Sequence, residues 1–215
     1  MNFEEWDPIY EQILRDFGFT RTADERAALV LSQVLAGIGS RSLPLERLDQ
    51  IISGRDIVVC GKAPTLLNDL RAGKISAHET IIAADGATSV LLSQGVIPSV
   101  IVSDLDGTLS DLLLANMMCA IIVVHAHGDN IDKLKAYVPL LSGILGTTQA
   151  HPLSNVFNFG GFSDGDRAIF LAEALRARHI SVIGFDLSDT NVTPQKMRKL
   201  KWAERLLKQK KVHFK

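Results

Sequence analysis

The residues best suited to chemistry in this chain lie in "IVSDLDGTLSD", Ile101 to Asp111, where Asp104 and Asp106 stand two apart and Gly107 follows. Alternate residues at the end of a strand point to the same side, and a glycine beside them lets a ligand come close. Two such carboxylates suit Mg²⁺, which takes oxygen ligands, keeps several waters and is completed by substrate phosphates. They equally suit a hydrolase in which Asp104 attacks phosphorus and Asp106 serves as general acid. Both readings describe a phosphate enzyme, and they differ in whether Asp104 forms a covalent bond.

Other stretches carry compatible groups. "AADGAT" sets Asp85 and Gly86 in a similar position. "GGFSDGDRAIFLAEAL" runs from two glycines into an amphipathic helix, with Ser163 or Asp164 as candidate N-cap and Asp166 and Arg167 following. A helix N-terminus with space around it is an anion site. "HAHGDN" projects His125 and His127 to one side of an extended chain and makes His127 and Asp129 candidates for ligand contact. The His-x-His pattern also follows strands in barrel metallohydrolases, but that barrel needs about 250 residues, more than remain after the helical leader. "GKAPTLL" lacks P-loop spacing, yet its glycine-led turn offers Gly61, Lys62 and Thr65 to a phosphate or ribose. "GFDLSD" adds Asp186, while Lys196, Lys199 and Lys201 read first as a solvated helix face and second as phosphate contacts.

The elements that must position these groups follow from periodicity. From Phe3 to about Ser53 apolar residues recur at helical spacing, with a break at Gly37 to Ser40 and a new helix after Pro44. From Gly54 onward, short apolar runs alternate with helical stretches: "DIVVC", "TIIAA", "VIVSD", "AIIVVH", "VFNF" and "ISVIGF". This predicts an α/β fold, a mostly parallel sheet with helices on both faces, preceded by a helical N-terminal segment. The expected division is 1–53 for the helical segment and 54–215 for the α/β catalytic domain. The basic stretch "KMRKLKWAERLLKQKK" reads as a closing helix. In such sheets ligands bind beyond the carboxyl ends of the strands. Asp, Asn and Gly favour turns for their own reasons, so the telling feature is that strand after strand delivers them to the same edge.

Composition narrows the partners. The chain has 215 residues, 23 Lys and Arg against 24 Asp and Glu, and a formal net charge of −1, which provides no basic field for nucleic acid and no cationic anchor for a membrane. The apolar run Leu112 to Val124 falls short of the roughly 18 residues of a membrane span. The acidic start "MNFEEWDPIY" is unlike a secretory signal, so the expected location is the cytoplasm. Cys60 and Cys119 lie in apolar runs without metal-ligand spacing and are expected to be buried thiols.

Two family resemblances bear on the choice at Asp104. "DLDGT" resembles the opening motif of haloacid-dehalogenase-type phosphatases, but in those enzymes it closes the first core strand, whereas "DIVVC" and "TIIAA" precede it here. Between a Thr147 strand end and an Asp164 loop, residues 148–163 also lack the lysine that family needs. "ADGATSVLLSQGVIPSVIVSDLDG" looks instead like a block of thiamin pyrophosphokinases, with Asp85, Gly86, Gly95, Pro98, Asp104 and Asp106 in matching places. Asp164 and Arg167 fall on an aspartate and a lysine of that family. The chain departs from it at Ser103 and Gly107, at "VVHAHGDN" and at "GFDLSD". Together "GKAPTL", "VSDLDG", "VVHAHGDN", "NFGGFSDGDRA" and "IGFDLSD" resemble the archaeal 6-hydroxymethyl-7,8-dihydropterin pyrophosphokinase family, over nearly everything from Asp56 to Leu207.

That resemblance implies transfer of the β,γ-diphosphate of ATP to the hydroxymethyl oxygen of a reduced pterin, with release of AMP. It also implies Mg²⁺ held by Asp104 and Asp106, with Asp85 and Asp164 completing or orienting the site. Arg167 would face the transferred phosphates, Gly61, Lys62, Thr65, Gly86 and Asp186 the nucleotide, and His127 and Asp129 the acceptor. Thiamin-kinase-like proteins are often dimers, which makes the N-terminal helices a candidate interface. A nucleotide-binding module without catalysis is the alternative of a different class.

Overall fold

The structure is a computed structural model describing residues 1–208 and 210–215. The leader forms α1 (Phe3–Phe17), α2 (Arg21–Ile38) and α3 (Leu45–Ile52). Asn2 starts α1 through a capping box with Glu5, and Gly18, in the left-handed region at φ 71°, ends it. Strands and helices then alternate: β1 (Asp56–Cys60), α4 (Leu66–Arg71), β2 (Thr80–Ala84), α5 (Thr88–Ser93), β3 (Val100–Ser103), α6 (Leu109–Met117), β4 (Ile121–Ala126) and α7 (Ile131–Tyr137). After β5 (Ile144–Thr148) and β6 (Val156–Phe157) come α8 (Asp164–Ala174), β7 (His179–Ile183), α9 (Pro194–Leu207) and β8 (His213–Phe214).

Among the described residues the strands form one eight-stranded sheet in the order β6-β5-β4-β3-β2-β1-β7-β8. Every ladder in it is parallel. The chain builds outward from β1 to β6, then returns through α8 to lay β7 on the other side of β1. That reversal makes the crevice between β1 and β7 a topological switch point. The register keeps the strand ends level, with Cys60 opposite both Ala83 and Ile183, Ala84 opposite Val102, and Ser103 opposite Val124. The residues that follow these strands therefore emerge along one edge.

Strands buried on both faces are apolar throughout because alternate side chains serve different cores. Ile57, Val59, Val100, Val102 and Val123 face a core closed by α1, α3, α8 and α9. Val58, Cys60, Ile101, Ile122 and Val124 face a second core, which α2 and α4 to α7 close. The leader thus contributes to both: Trp6, Tyr10 and Ile13 lie in the first, Ala27, Leu31 and Leu35 in the second. The apolar faces of α1 and α2 are occupied by this chain's own two cores.

Several expectations need correction. Cys60 is buried, but Cys119 is exposed, because it sits with φ 72° in the turn that leaves α6. "ILGTT" forms the fully buried β5, whose small residues hid it in the sequence pattern. "VFNF" pairs only over Val156–Phe157. The closing helix stops at Leu207, and the chain adds the edge strand β8; Gln209, inside the stretch read as helical, lies outside the described residues. No helix among the described residues is long and apolar enough to cross a membrane.

Because the leader fills both cores, Ile13→Ala and Leu31→Ala should each cost about 2–5 kcal/mol and shift one cooperative transition in denaturant unfolding. A separate early transition for residues 1–53 would show instead that the leader folds as its own unit.

Candidate active site

β3 ends at Ser103, and the next four residues leave the strand in a tight turn. Leu105 takes φ 65°, and its N–H donates to the Ser103 hydroxyl at 2.9 Å. The turn breaks the alternation expected for Asp104 and Asp106: both line the cleft, but only Asp104 joins the close group of acids. Asp104 points inward, toward Asp85 after β2 and Asp164 at the first position of α8. One carboxylate oxygen from each of these three lies within 4.8 Å of the others. Asp106 is left on the rim, ion-paired with Lys133 of α7.

Each acid is held by identifiable contacts. Asp85 is buried and accepts the Gly107 backbone N–H at 2.8 Å. A Cβ on Gly107 would stand 2.1 Å from the Asp85 Oδ1, so only glycine lets this loop close on the carboxylate. Burial, reinforced by the Asp104 charge, raises the Asp85 pKa against that hydrogen bond. For Asp104, burial also pushes upward, but the neighbouring His127 ring and the charge of Arg167 outweigh it and hold the group down at about 2. The His127 Nε2 lies 3.6 Å from Asp104 Oδ2. Asp164 is pushed well above the usual carboxyl range, first by burial and then by the Asp104 charge, with Arg167 opposing. Three acids in this state need positive charge to ionise together, and the oxygen-only donor set fits a hard divalent cation such as Mg²⁺.

Arg167 supplies one positive charge. It is buried, donates to Asp164 Oδ1 at 3.2 Å and to the Gln149 Oε1 at 3.3 Å, and its Nε has no protein partner. The cap of α8 is built by Ser163 with Asp166, whose carboxylate accepts the N–H groups of Phe162 and Ser163. Capping therefore accounts for Asp166 and leaves Asp164 turned to the cleft. Asn130 staples the neighbouring strand ends, donating to the carbonyls of Asp104 at 2.9 Å and His125 at 2.8 Å. The His125 ring is buried 6.3 Å from that of His127 and bonds Thr147 Oγ1; burial first, then the Arg167 charge, keeps it neutral.

A cleft of about 760 Å³ runs along this edge, and Asp85, Asp104, Asp164 and Arg167 line it. One end lies at the switch point, where the turns after β1 and β7 meet: Gly61 N–H donates to Ile183 O at 2.9 Å and Ala63 N–H to Gly184 O at 2.8 Å. Gly61, Lys62, Gly86 and Asp186 line the cleft, together with Phe185 and the helix residues Lys196 and Lys199. His127, Asp129 and Gln149 and, from the leader, Phe19 and Asp24 line it away from the switch point, while Phe162 lies beside Lys199, whose ammonium stands 5.9 Å from the ring centre. Thr65 alone of the expected nucleotide residues stands off the cleft, exposed at the start of α4, where its hydroxyl bonds Asp69.

The reading from sequence did not single out Lys133, Asn130, Gln149 or Asp24. Asn130 was visible inside "HAHGDN". Gln149 follows the strand that the apolar pattern missed, and Asp24 carries no local signal beyond its place in a helical stretch.

The profile of the family described as 6-hydroxymethylpterin diphosphokinase MptE-like matches residues 39–192. The chain is 45% identical to a Pyrococcus furiosus protein named 6-hydroxymethyl-7,8-dihydropterin pyrophosphokinase, over 96% of this chain and 93% of that one. It is 41% identical to proteins of the same name from Methanothermobacter thermautotrophicus, over 96% and 94%, and from Methanocaldococcus jannaschii, over 86% and 80%.

Calorimetric titration with Mg²⁺ tests the acid cluster. Asp104→Asn, which preserves size, should weaken cation binding by about tenfold or more, and Asp106→Asn, already paired with Lys133, by much less. Equal losses at the two positions would move the cation to the Asp104 and Asp106 pair.

Proposed function

The chain belongs to the 6-hydroxymethylpterin diphosphokinase MptE-like family, and from that premise we propose that it moves the terminal diphosphate of ATP as one unit to 6-hydroxymethyl-7,8-dihydropterin. The observation that carries the reading is the group of three carboxylates, Asp85, Asp104 and Asp164, beside the Arg167 guanidinium on the wall of the cleft. In the reaction the hydroxymethyl oxygen bonds to the β-phosphorus of ATP and the bond from that phosphorus to the α,β-bridging oxygen breaks. AMP leaves with the bridging oxygen, and the hydroxyl proton is released.

Such transfer depends on alignment and charge neutralisation more than on a covalent nucleophile. Asp85, Asp104 and Asp164 would hold Mg²⁺, with Asp106 reaching it from the rim on release from Lys133. Bound there, the cation would neutralise phosphate charge and template the phosphate chain. Arg167 meets the transferred diphosphate with a planar, donor-only group that matches phosphate oxygens. Gly61, Lys62, Gly86 and Asp186 hold the nucleotide at the switch point, with Lys196 and Lys199 adding positive charge. The pterin takes the side of the cleft lined by His127 and Asp129, where Phe19 offers flat apolar surface to a bicyclic ring. ATP as co-substrate, and the buried thiol of Cys60, fit a cytoplasmic enzyme.

Chromatographic analysis of nucleotide products tests the reading, with protein, ATP and Mg²⁺ incubated with the pterin, with thiamin, or with no acceptor. AMP should appear only with 6-hydroxymethyl-7,8-dihydropterin. ADP, or phosphate released without an acceptor, would make Asp104 a nucleophile and the protein a hydrolase. AMP with thiamin alone would move the acceptor to the thiamin kinases.

A further inference from the structure

The leader reaches the chemistry through Asp24, in the first turn of α2. This side chain is 3% exposed, and its carboxylate accepts from the Tyr10 hydroxyl at 2.7 Å, Gln149 Nε2 at 2.8 Å and the Gly128 N–H at 2.8 Å. All three partners donate, which an acceptor-only carboxylate satisfies and an amide does not. Two of them belong to the cleft. Gly128 lies between His127 and Asp129, and Gln149 follows β5.

The consequence for Gln149 is directional. With its Nε2 committed to Asp24, its Oε1 faces Arg167 and accepts from that guanidinium. Arg167 has no acceptor of its own, so the opposite amide orientation would set donors against donors on the Arg167 side and acceptors together on the Asp24 side. The Gln149 backbone is fixed as well, its carbonyl accepting from Trp6 Nε1 at 2.9 Å. On the loop side, a Cβ on Gly128 would stand 2.6 Å from the Ala23 Cβ, so α2 rests directly on the turn that carries His127 and Asp129.

We propose that Asp24 is a positioning residue for the transfer step. Through Gln149 it aims the Arg167 guanidinium, and through Gly128 it fixes the loop at the acceptor end, which makes the N-terminal helices the back wall of the active site. This rests on the diphosphate-transfer reading above. Arg167 held in advance needs no reorganisation when charge develops on the transferred group, so the benefit appears in kcat more than in KM.

Three variants and two readouts test it. Asp24→Asn keeps the volume but turns a donor toward at least one of the three donors; kcat should fall about 10- to 100-fold while KM for ATP stays within about threefold. Gln149→Met should do the same, and the double variant should be no worse than Gln149→Met alone, because the two residues act in series. Tyr10→Phe, outside the cleft, should lower the melting temperature and leave kcat within about twofold. The Arg167 guanidinium signals in ¹⁵N NMR should shift in Asp24→Asn and Gln149→Met and stay in place in Tyr10→Phe. Multiplying losses, an Asp24→Asn kcat near wild type, or an equal kcat loss in Tyr10→Phe would each overturn the proposal. If Asp24→Asn does not fold, Gln149→Met with unchanged kcat and unmoved Arg167 signals overturns it as well. Wild-type protein that forms no AMP, with the Arg167 signals still moving as described, would sink the diphosphate-transfer reading and keep the positioning role of Asp24.

Discussion

Mutual repulsion among Asp85, Asp104 and Asp164 is the constraint around which this structure is organised. Three carboxylates with oxygens within 4.8 Å of one another at a half-buried strand edge would scatter if the backbone allowed it. The backbone does not, because each acid is anchored on a different element: the end of β2, the turn after β3 and the first residue of α8. Their environment holds the Asp104 pKa down and pushes that of Asp164 up, which is the strain expected of acids assembled ahead of the cation that unites them.

Keeping those three anchors in place is the work of the sheet and both its cores. A parallel sheet covered on its two faces is stiff, and its level register fixes the spacing of the residues that follow each strand. The reversal between β1 and β7 opens a crevice beside the acids where backbone turns can approach a nucleotide closely. The second end of the cleft is of another kind. It is walled by α2 and by the loops after β4 and β5, and it holds the Phe19 ring and hydrogen-bonding side chains in place of the glycine turns at the switch point.

The supporting groups show how such a site is made rigid. Asn130 binds two strand ends, Asp166 spends its carboxylate on the start of α8, Gly107 gives up its side chain to let Asp85 accept a backbone N–H, and Asp24 gathers three donors from three segments. None of these touches substrate in the proposed reaction. Each fixes a residue that would hold the cation or meet the substrate, and an outer layer of this sort decides whether acids and guanidinium are held to a fraction of an ångström.

The division between sequence and structure follows from the range of each interaction. Strand and helix alternation, the parallel sheet and the acids at its edge were legible because hydrophobic period and turn chemistry are local properties, readable within a dozen residues. β5 was not, since Gly146, Thr147 and Thr148 give a weak apolar signal and are buried only because β4, β6 and α2 surround them. That Asp106 stands on the rim while Asp104 groups with Asp85 and Asp164, the acids the family resemblance had set beside it, depended on the positive φ of Leu105 and on strand register. The role of Asp24 joins residues separated by 104 and 125 positions in the chain. The kinds of group at the site could be read from the chain itself. Which of them meet was decided by tertiary structure, because it alone brings together side chains that no local pattern relates.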